Sequence, residues 1–237
     1  MIKLETHCHS LGGSPCGDTP IDDILNFYNQ AGYGGIVLTN HYDTYMPDYY
    51  GVKGQGDKAV VDKFFSMYDE MKEKGEKLGL KIFFGIEVRI SCTFTEYLLY
   101  GFNRQFLYDH PNLCALTQRE LFELADKNGV LLIQSHPFRN GVQAGDPKYM
   151  HGAESFNGHY HHGNHNDLAE AFCNEHNLIK MAGTDFHHPD QPITGGIMLP
   201  ENIETNEQLA QYIRENNFER IEKTKIYEDA YALIAGR

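Results

Sequence analysis

What most limits the fold of this chain is a repeated alternation. Short apolar runs rich in β-branched and aromatic residues give way to longer segments of helical period. The strand candidates are Ile2–Thr6, Gly35–Thr39, Lys81–Val88, Tyr97–Phe102, Val130–Ser135, Ala153–Phe156 and Ile179–Ala182. Between them, Thr19 is placed to cap a helix with Pro20 at its first position and Ile21, Ile24, Leu25 and Tyr28 on one face, ending near Gly32. Asp57 to Leu78 carries Val60, Val61, Phe64, Phe65, Tyr68 and Met71 at helical spacing. Thr117 with Glu120, and Thr205 with Gln208, form capping-box patterns ahead of further helices, and 166–177 completes the set. Strands separated by helices make βαβ units and a parallel sheet. This many units suit an α/β fold closed, or nearly closed, into a barrel better than an open doubly wound sheet. No Gly-rich phosphate loop follows the first strand, so the dinucleotide and P-loop readings have no support. Without a linker-like tract or internal repeat, residues 1–237 read as one domain. In that reading 200–237 supplies a helix and a terminal segment packed on the barrel.

Charge and composition narrow the partners. The formal charge is −13, whereas a sequence-independent nucleic-acid binder needs a Lys/Arg surplus. Long nucleic acid is therefore not an expected partner, while a small anionic ligand is compatible with a site whose bound cations reverse the local field. No apolar run approaches the roughly 20 residues that span a bilayer. Met1 to His7 has no basic-then-apolar signal pattern. The five cysteines are odd in number and include no CxxC pair, which fits reduced thiols. The expected location is the cytoplasm.

The 13 histidines carry the functional signal through their placement. His7 and His9 follow the first strand and His41 the second. Glu87 ends the third, His136 follows Val130–Ser135, and Asp185 and His187 follow Ile179–Ala182. Loops after the strands form the active-site face of β/α barrels, so these distant residues should meet at one mouth. His7/His9 and Asp185/His187 are i, i+2 pairs, which in extended backbone point to the same side. A single histidine after a strand is usually a packing or capping residue, but recurrence at matching positions points to metal. Imidazoles with bridging carboxylates suit two or three divalent ions such as Zn, Mn or Fe. The segment 159–165, with His159, His161, His162 and His165, reads as a solvated loop more readily than as a substrate rim or further metal site. Asn157 is placed to orient a ligand by hydrogen bonding.

His7-Cys-His9, Thr39-Asn40-His41, Gly85-Ile86-Glu87, Ser135-His136-Pro137 and Gly183-Thr184-Asp185-Phe186-His187 resemble, in order and spacing, the motifs of the PHP (polymerase and histidinol phosphatase) family. The resemblance runs from about residue 2 to residue 199. It implies a distorted, TIM-like (β/α)7 barrel, two or three divalent metals and phosphoester hydrolysis. Carried over by motif, His7, His9, Glu87 and Asp185 would hold one metal. Glu87 would bridge to a second, also held by His136, and His41 and His187 would help hold a third. Glu87, Asp185 and His187 would be the catalytic set, with Arg139 near the substrate phosphate. The chain departs from the family in two places. The ligand expected soon after HxH is missing, leaving Cys16 and Asp18 as the ligand types there. Around the fourth strand, Glu96 stands where a histidine is common. The expected activity is hydrolysis of a small phosphomonoester, a nucleotide or a histidinol-phosphate-like compound, by metal-activated water. The alternatives are a phosphodiesterase or oligonucleotide hydrolase, a hydrolase of C–N bonds, and a non-catalytic metal-binding regulatory module.

Overall fold

The computed structural model describes residues 1–236. All seven strand candidates form: β1 (Ile2–Cys8), β2 (Gly35–Leu38), β4 (Lys81–Arg89), β5 (Glu96–Tyr100), β6 (Leu131–Gln134), β7 (Gly152–Asn157) and β8 (Ile179–Gly183). Three short strands join them: β3 (His41–Tyr42), β9 (Gly195–Leu199) and β10 (Arg220–Glu222). The main path runs β10-β9-β1-β2-β4-β5-β6-β7-β8, with β3 beside β4. The first half of β1 pairs antiparallel with β9, Ile2 opposite Leu199 and Leu4 opposite Ile197. Its second half meets the far end of the path. Thr6 Oγ1 donates to the Ala182 carbonyl at 2.7 Å, and the loop after β8 bonds to the backbone of His7 and His9 through Phe186. The sheet is thus a nearly closed barrel, and it is mixed in direction, not parallel throughout as expected, because β5 and β9 are each antiparallel to both their neighbours.

Leu4, Val37, Phe83, Leu98, Leu131, Met181 and Ile197, from seven strands, share one buried cluster with Leu209, Ala210 and Ile213 of α7 (Asn206–Arg214). The strands therefore curl about a common interior with α7 packed into it. Outside, α1 (Ile21–Gln30) buries Ile21, Ile24, Leu25 and Tyr28. Beside it, α3 (Asp57–Lys77) buries Val60, Val61, Phe64, Phe65 and Met71. Both capping boxes form, ahead of α5 (Gln118–Lys127) and α7. The short α2 (Met46–Tyr49) and α4 (Arg104–Asp109), then α6 (Asn166–His176) and α8 (Thr224–Ala235), complete the helices. The expected cap of α1 does not form. Pro20 is the N-cap residue and Thr19 Oγ1 instead donates to the His187 carbonyl at 3.1 Å, tying the start of α1 to the loop after β8. The segment after residue 199 holds two helices and a strand, where the sequence pattern shows one helix. Among the described residues no helix is long and apolar enough to cross a membrane.

A bulge turns β1 toward the mouth. Its register against β2 shifts between Glu5 and Cys8. Glu5 Oε1 accepts from the backbone N–H groups of Thr6, His7 and Thr184, each at 2.9 Å, and Oε2 accepts from the Tyr28 hydroxyl at 2.7 Å. One buried carboxylate therefore satisfies donors that the bulge removes from the ladder. Close approach at β8 needs a glycine, since a Cβ on Gly183 would lie 2.7 Å from the His7 Cβ.

Burial pushes the Glu5 carboxyl up to about 7, against the lowering effect of its bonds with Thr184, His7 and Tyr28. Because this value is above the unfolded one, the contribution to stability is complete below the ordinary carboxylate range and is lost as pH rises through about 7. Denaturant unfolding should show that loss in the native chain. Glu5→Gln, which keeps an acceptor for the three N–H groups, should flatten it. Glu5→Ala should cost about 3 kcal/mol or more at every pH. Equal stability of all three proteins across this range would contradict the role given to Glu5.

Candidate metal centre at the barrel mouth

Every core position expected from the sequence reaches one buried space. His7 and His9 come from the end of β1 and just beyond it, and His41 from β3, where it pairs in register with Glu87 of β4. His136 follows β6, and Asp185 and His187 follow β8. Glu96 arrives by a different route. Because β5 is antiparallel, its first residue lies at the same end as the last residues of β4, and Glu96 pairs with Arg89. His136 and Asp185 have positive φ (29° and 53°), a strained backbone that aims their side chains inward.

For three of the imidazoles, a bond to one ring nitrogen explains where the other points. His7 Nδ1 bonds to Glu154 Oε1 and His9 Nδ1 to Ser14 Oγ, both at 2.9 Å. Their Nε2 atoms are left facing each other at 3.0 Å. His187 Nδ1 donates to the Asp185 carbonyl at 2.9 Å, leaving Nε2 beside Cys16 Sγ at 3.2 Å. Asp185 Oδ2 is taken by Arg139 Nη2 and by Asn157 Nδ2, while Oδ1 is buried without a hydrogen-bond partner. That Oδ1 lies 3.3 Å from both His7 Nε2 and His9 Nε2. Glu87 Oε1 is 3.4 Å from His7 Nε2 and 3.1 Å from His136 Nε2. Its Oε2 is 3.4 Å from His9 Nε2 and 3.0 Å from His41 Nδ1. Glu96 reaches His136 at 3.5 Å and His41 at 3.6 Å.

A tetrahedral ion with bonds of about 2.0–2.2 Å separates its ligand atoms by roughly 3.3–3.6 Å. Many of the observed separations fall in or near that interval, and the orphaned Asp185 Oδ1 lacks only a cation. The donor set therefore fits divalent metal. Three overlapping groups could each hold an ion: His7, His9 and Asp185; His41, Glu87 and Glu96; and His9, Cys16, His41 and His187.

Titration follows the same crowding. Burial works to lower His7, but Asp185, Glu154 and Glu87 outweigh it and hold His7 well above its ordinary value. Burial likewise opposes the rise of His41, which Glu87, Cys16 and Glu96 drive. For His9, burial and the neighbouring His187 and His41 push it well below. Burial would raise the Glu87 and Asp185 carboxyls, yet the adjoining imidazoles, and Arg139 in the case of Asp185, hold both well below the carboxylate range. Burial also works to raise the Cys16 thiol, but bonds with His187 and His41 bring it down to about 6. Cys16 as a whole residue is exposed, and its sulfur is the part that faces inward.

A comparison with known families decides the classification: the PHP domain matches residues 5–227. The chain belongs to the PHP domain family. No functionally curated protein matches it. Among solved structures it is similar to a two-domain Bacteroides vulgatus protein containing a predicted PHP-like metal-dependent phosphoesterase. The two share 19% identity over 97% of this chain and 68% of that one, with a TM-score of 0.67. PsfC from Pseudomonas syringae is 14% identical over 99% of this chain and 95% of its own, with a TM-score of 0.64. A Bifidobacterium adolescentis protein whose name proposes a metal-dependent phosphoesterase is 13% identical over 90% and 96%, with a TM-score of 0.54. At these identities the likenesses establish the PHP fold.

Two participants of this PHP mouth, Glu154 and Glu5, have no role in the sequence reading, and a third is placed differently there. Glu154 takes His7 Nδ1 on one oxygen. On the other it takes the His136 N–H at 3.0 Å and Asn157 Nδ2 at 2.8 Å. Glu5 organises the bulge below. Both are acidic residues inside apolar strands, a signal that could have singled them out, because a buried carboxylate needs donors. The third is His159. The solvated-loop reading of 159–165 does not hold for this ring, which is buried with its centroid 4.7 Å from that of His187. Asn157 bonds to Glu154 and Asp185, as its expected orienting role requires.

Glu154→Gln should weaken divalent-metal affinity about 10–100-fold in a chelator competition while leaving the circular dichroism unchanged. Undiminished affinity would remove Glu154 from the orienting role. Metal entry must also displace the protons that His7 and His41 retain because their values are raised, so affinity should fall as pH falls and binding should release protons. Calorimetry in buffers of different ionisation enthalpy measures that release, and a buffer-independent heat would contradict it.

Proposed function

We propose that this PHP-domain chain hydrolyses a small phosphomonoester with two or three divalent ions held at the mouth. His7, His9, Glu87 and Asp185 would hold one ion, with Glu87 bridging to a second shared by His136 and Glu96. The third position would be formed by Cys16, His41 and His187, where a thiolate beside imidazoles favours zinc or iron over magnesium. Bound there, such ions polarise water and offset charge on a phosphoryl group.

The observation that carries this reading is the buried convergence of carboxylates and imidazole nitrogens, with His7, His9 and His187 held through their other ring nitrogen and one Asp185 oxygen orphaned. The remaining parts fit the same chemistry. Arg139 is fixed by Asp185, Asn157 and Asn164, and its Nη1 has no hydrogen-bond partner among the described residues. A cleft of about 330 Å³ opens beside it, lined by Arg89, Glu96, His136, Arg139 and His162, with Phe94 at the edge. That size suits a small molecule. Arg89 is held by Glu96 and Asp43, so the open Nη1 of Arg139 is the cation placed to meet a terminal phosphate, and the net charge of −13 favours neither RNA nor DNA as a partner. A larger cleft of about 620 Å³ under α8 is lined by none of the converging donors.

The test is turnover of an aryl phosphate and its diester analogue with added Mn²⁺ or Zn²⁺. Monoester hydrolysis should exceed diester hydrolysis. Glu87→Gln should reduce it by at least about 100-fold, more than the loss of an outer-shell partner. Arg139→Ala should lower kcat/KM by about 100-fold. Preference for the diester would move the assignment to a phosphodiesterase. Full metal loading without hydrolysis of either ester would favour the regulatory module.

A further inference from the structure

Outside the converging donors, the loops after β7 and β8 bring another set of imidazoles together. His159, His161 and His188 each offer a ring nitrogen, and the three nitrogens lie within 4.8 Å of one another. The ring centroids are 5.5 Å apart for His159 and His161, 4.9 Å for His161 and His188, and 5.9 Å for His159 and His188. None of the three belongs to the donor groups at the mouth.

Two features distinguish this cluster from a run of solvated histidines. His188 Nδ1 is braced by Asp18 Oδ2 at 3.1 Å, the carboxylate–imidazole arrangement that also holds His7, which directs its Nε2 away from the carboxylate. His159 is only 4% exposed and packs on His187, so one donor is fixed by the barrel, while His161 is exposed and closes the group from the solvent side. The loops that carry them are set independently. His159 lies in a turn whose carbonyl accepts from Asn164 Nδ2 at 3.0 Å, and the loop of His188 is held by Gln191 Nε2 on the carbonyls of Thr184 and Asp185 at 3.0 Å.

We propose that His159, His161 and His188 form an accessory site for a borderline divalent ion such as Zn²⁺, at the rim and separate from the ions of the core. Three imidazoles leave a coordination position for water or for an anionic group of an incoming ligand, as in open zinc sites with three protein donors. Asp18 supplies negative charge nearby through His188. The site does not depend on the proposed hydrolytic role, since it is read from metal content alone.

Equilibrium dialysis of the full chain against Zn²⁺, followed by elemental analysis, tests it. The native chain should hold one more zinc than the double variant His161→Ala/His188→Ala. Glu87→Gln should lose zinc from the core and keep the rim ion. Equal zinc content in the native chain and the double variant would overturn the site. If the double variant fails to fold, His161→Ala alone, at an exposed ring, should weaken the rim zinc at least tenfold in a titration, and an unchanged titration would equally overturn it.

Discussion

Glu87 and Asp185 are buried at one end of the barrel, each within 3.4 Å of at least three imidazole nitrogens. So dense a set of desolvated charges and lone pairs is tolerable only if something positive sits among them, because an uncompensated buried charge costs several kcal/mol. Without metal, protons on His7 and His41 and the Arg139 guanidinium serve. With metal, the cation takes the place of the protons. The rest of the mouth follows from holding the donors ready for that exchange. Glu154 fixes His7 and the His136 backbone, Ser14 fixes His9, and the carbonyl of Asp185 fixes His187.

The fold answers to the same demand. Paired strands alone would alternate Glu5 and His7 on one face, yet Glu5 must meet Tyr28 on α1 while His7 meets the donors of the mouth. The bulge between Glu5 and Cys8 reconciles the two, at the cost of ladder bonds that the Glu5 carboxylate replaces. Left-handed backbone at His136 and Asp185 is a second concession to aiming side chains. Local structure therefore departs from regular geometry at several of the points where donors must converge.

Much of this was legible in the sequence. The seven principal strands and the buried faces of α1 and α3 rest on periodicity, which burial enforces over many residues. The core donors His7, His9, His41, Glu87, His136, Asp185 and His187 were visible because they recur just past strand ends. What remained hidden lacks a periodic signature. β3 is two residues long, β9 begins with two glycines, and β10 is defined by its pairing with β9 alone. Strand direction left no mark either, so the antiparallel course of β5, which delivers Glu96 to the mouth, emerges only from pairing. Glu154 and Glu5 are single acidic residues whose importance lies in which donors surround them. His159 looked like one of four loop histidines until its burial against His187 set it apart.

The central claim is that the donors at the mouth are a divalent-metal centre, and an anomalous difference map from a crystal equilibrated with Mn²⁺ or Zn²⁺ tests it most directly. The account predicts a peak within bonding distance of His7 Nε2, His9 Nε2 and Asp185 Oδ1, and a second beside Glu87 and His136. Well-ordered side chains in these positions with no anomalous density between them, at saturating metal and neutral pH, would contradict it.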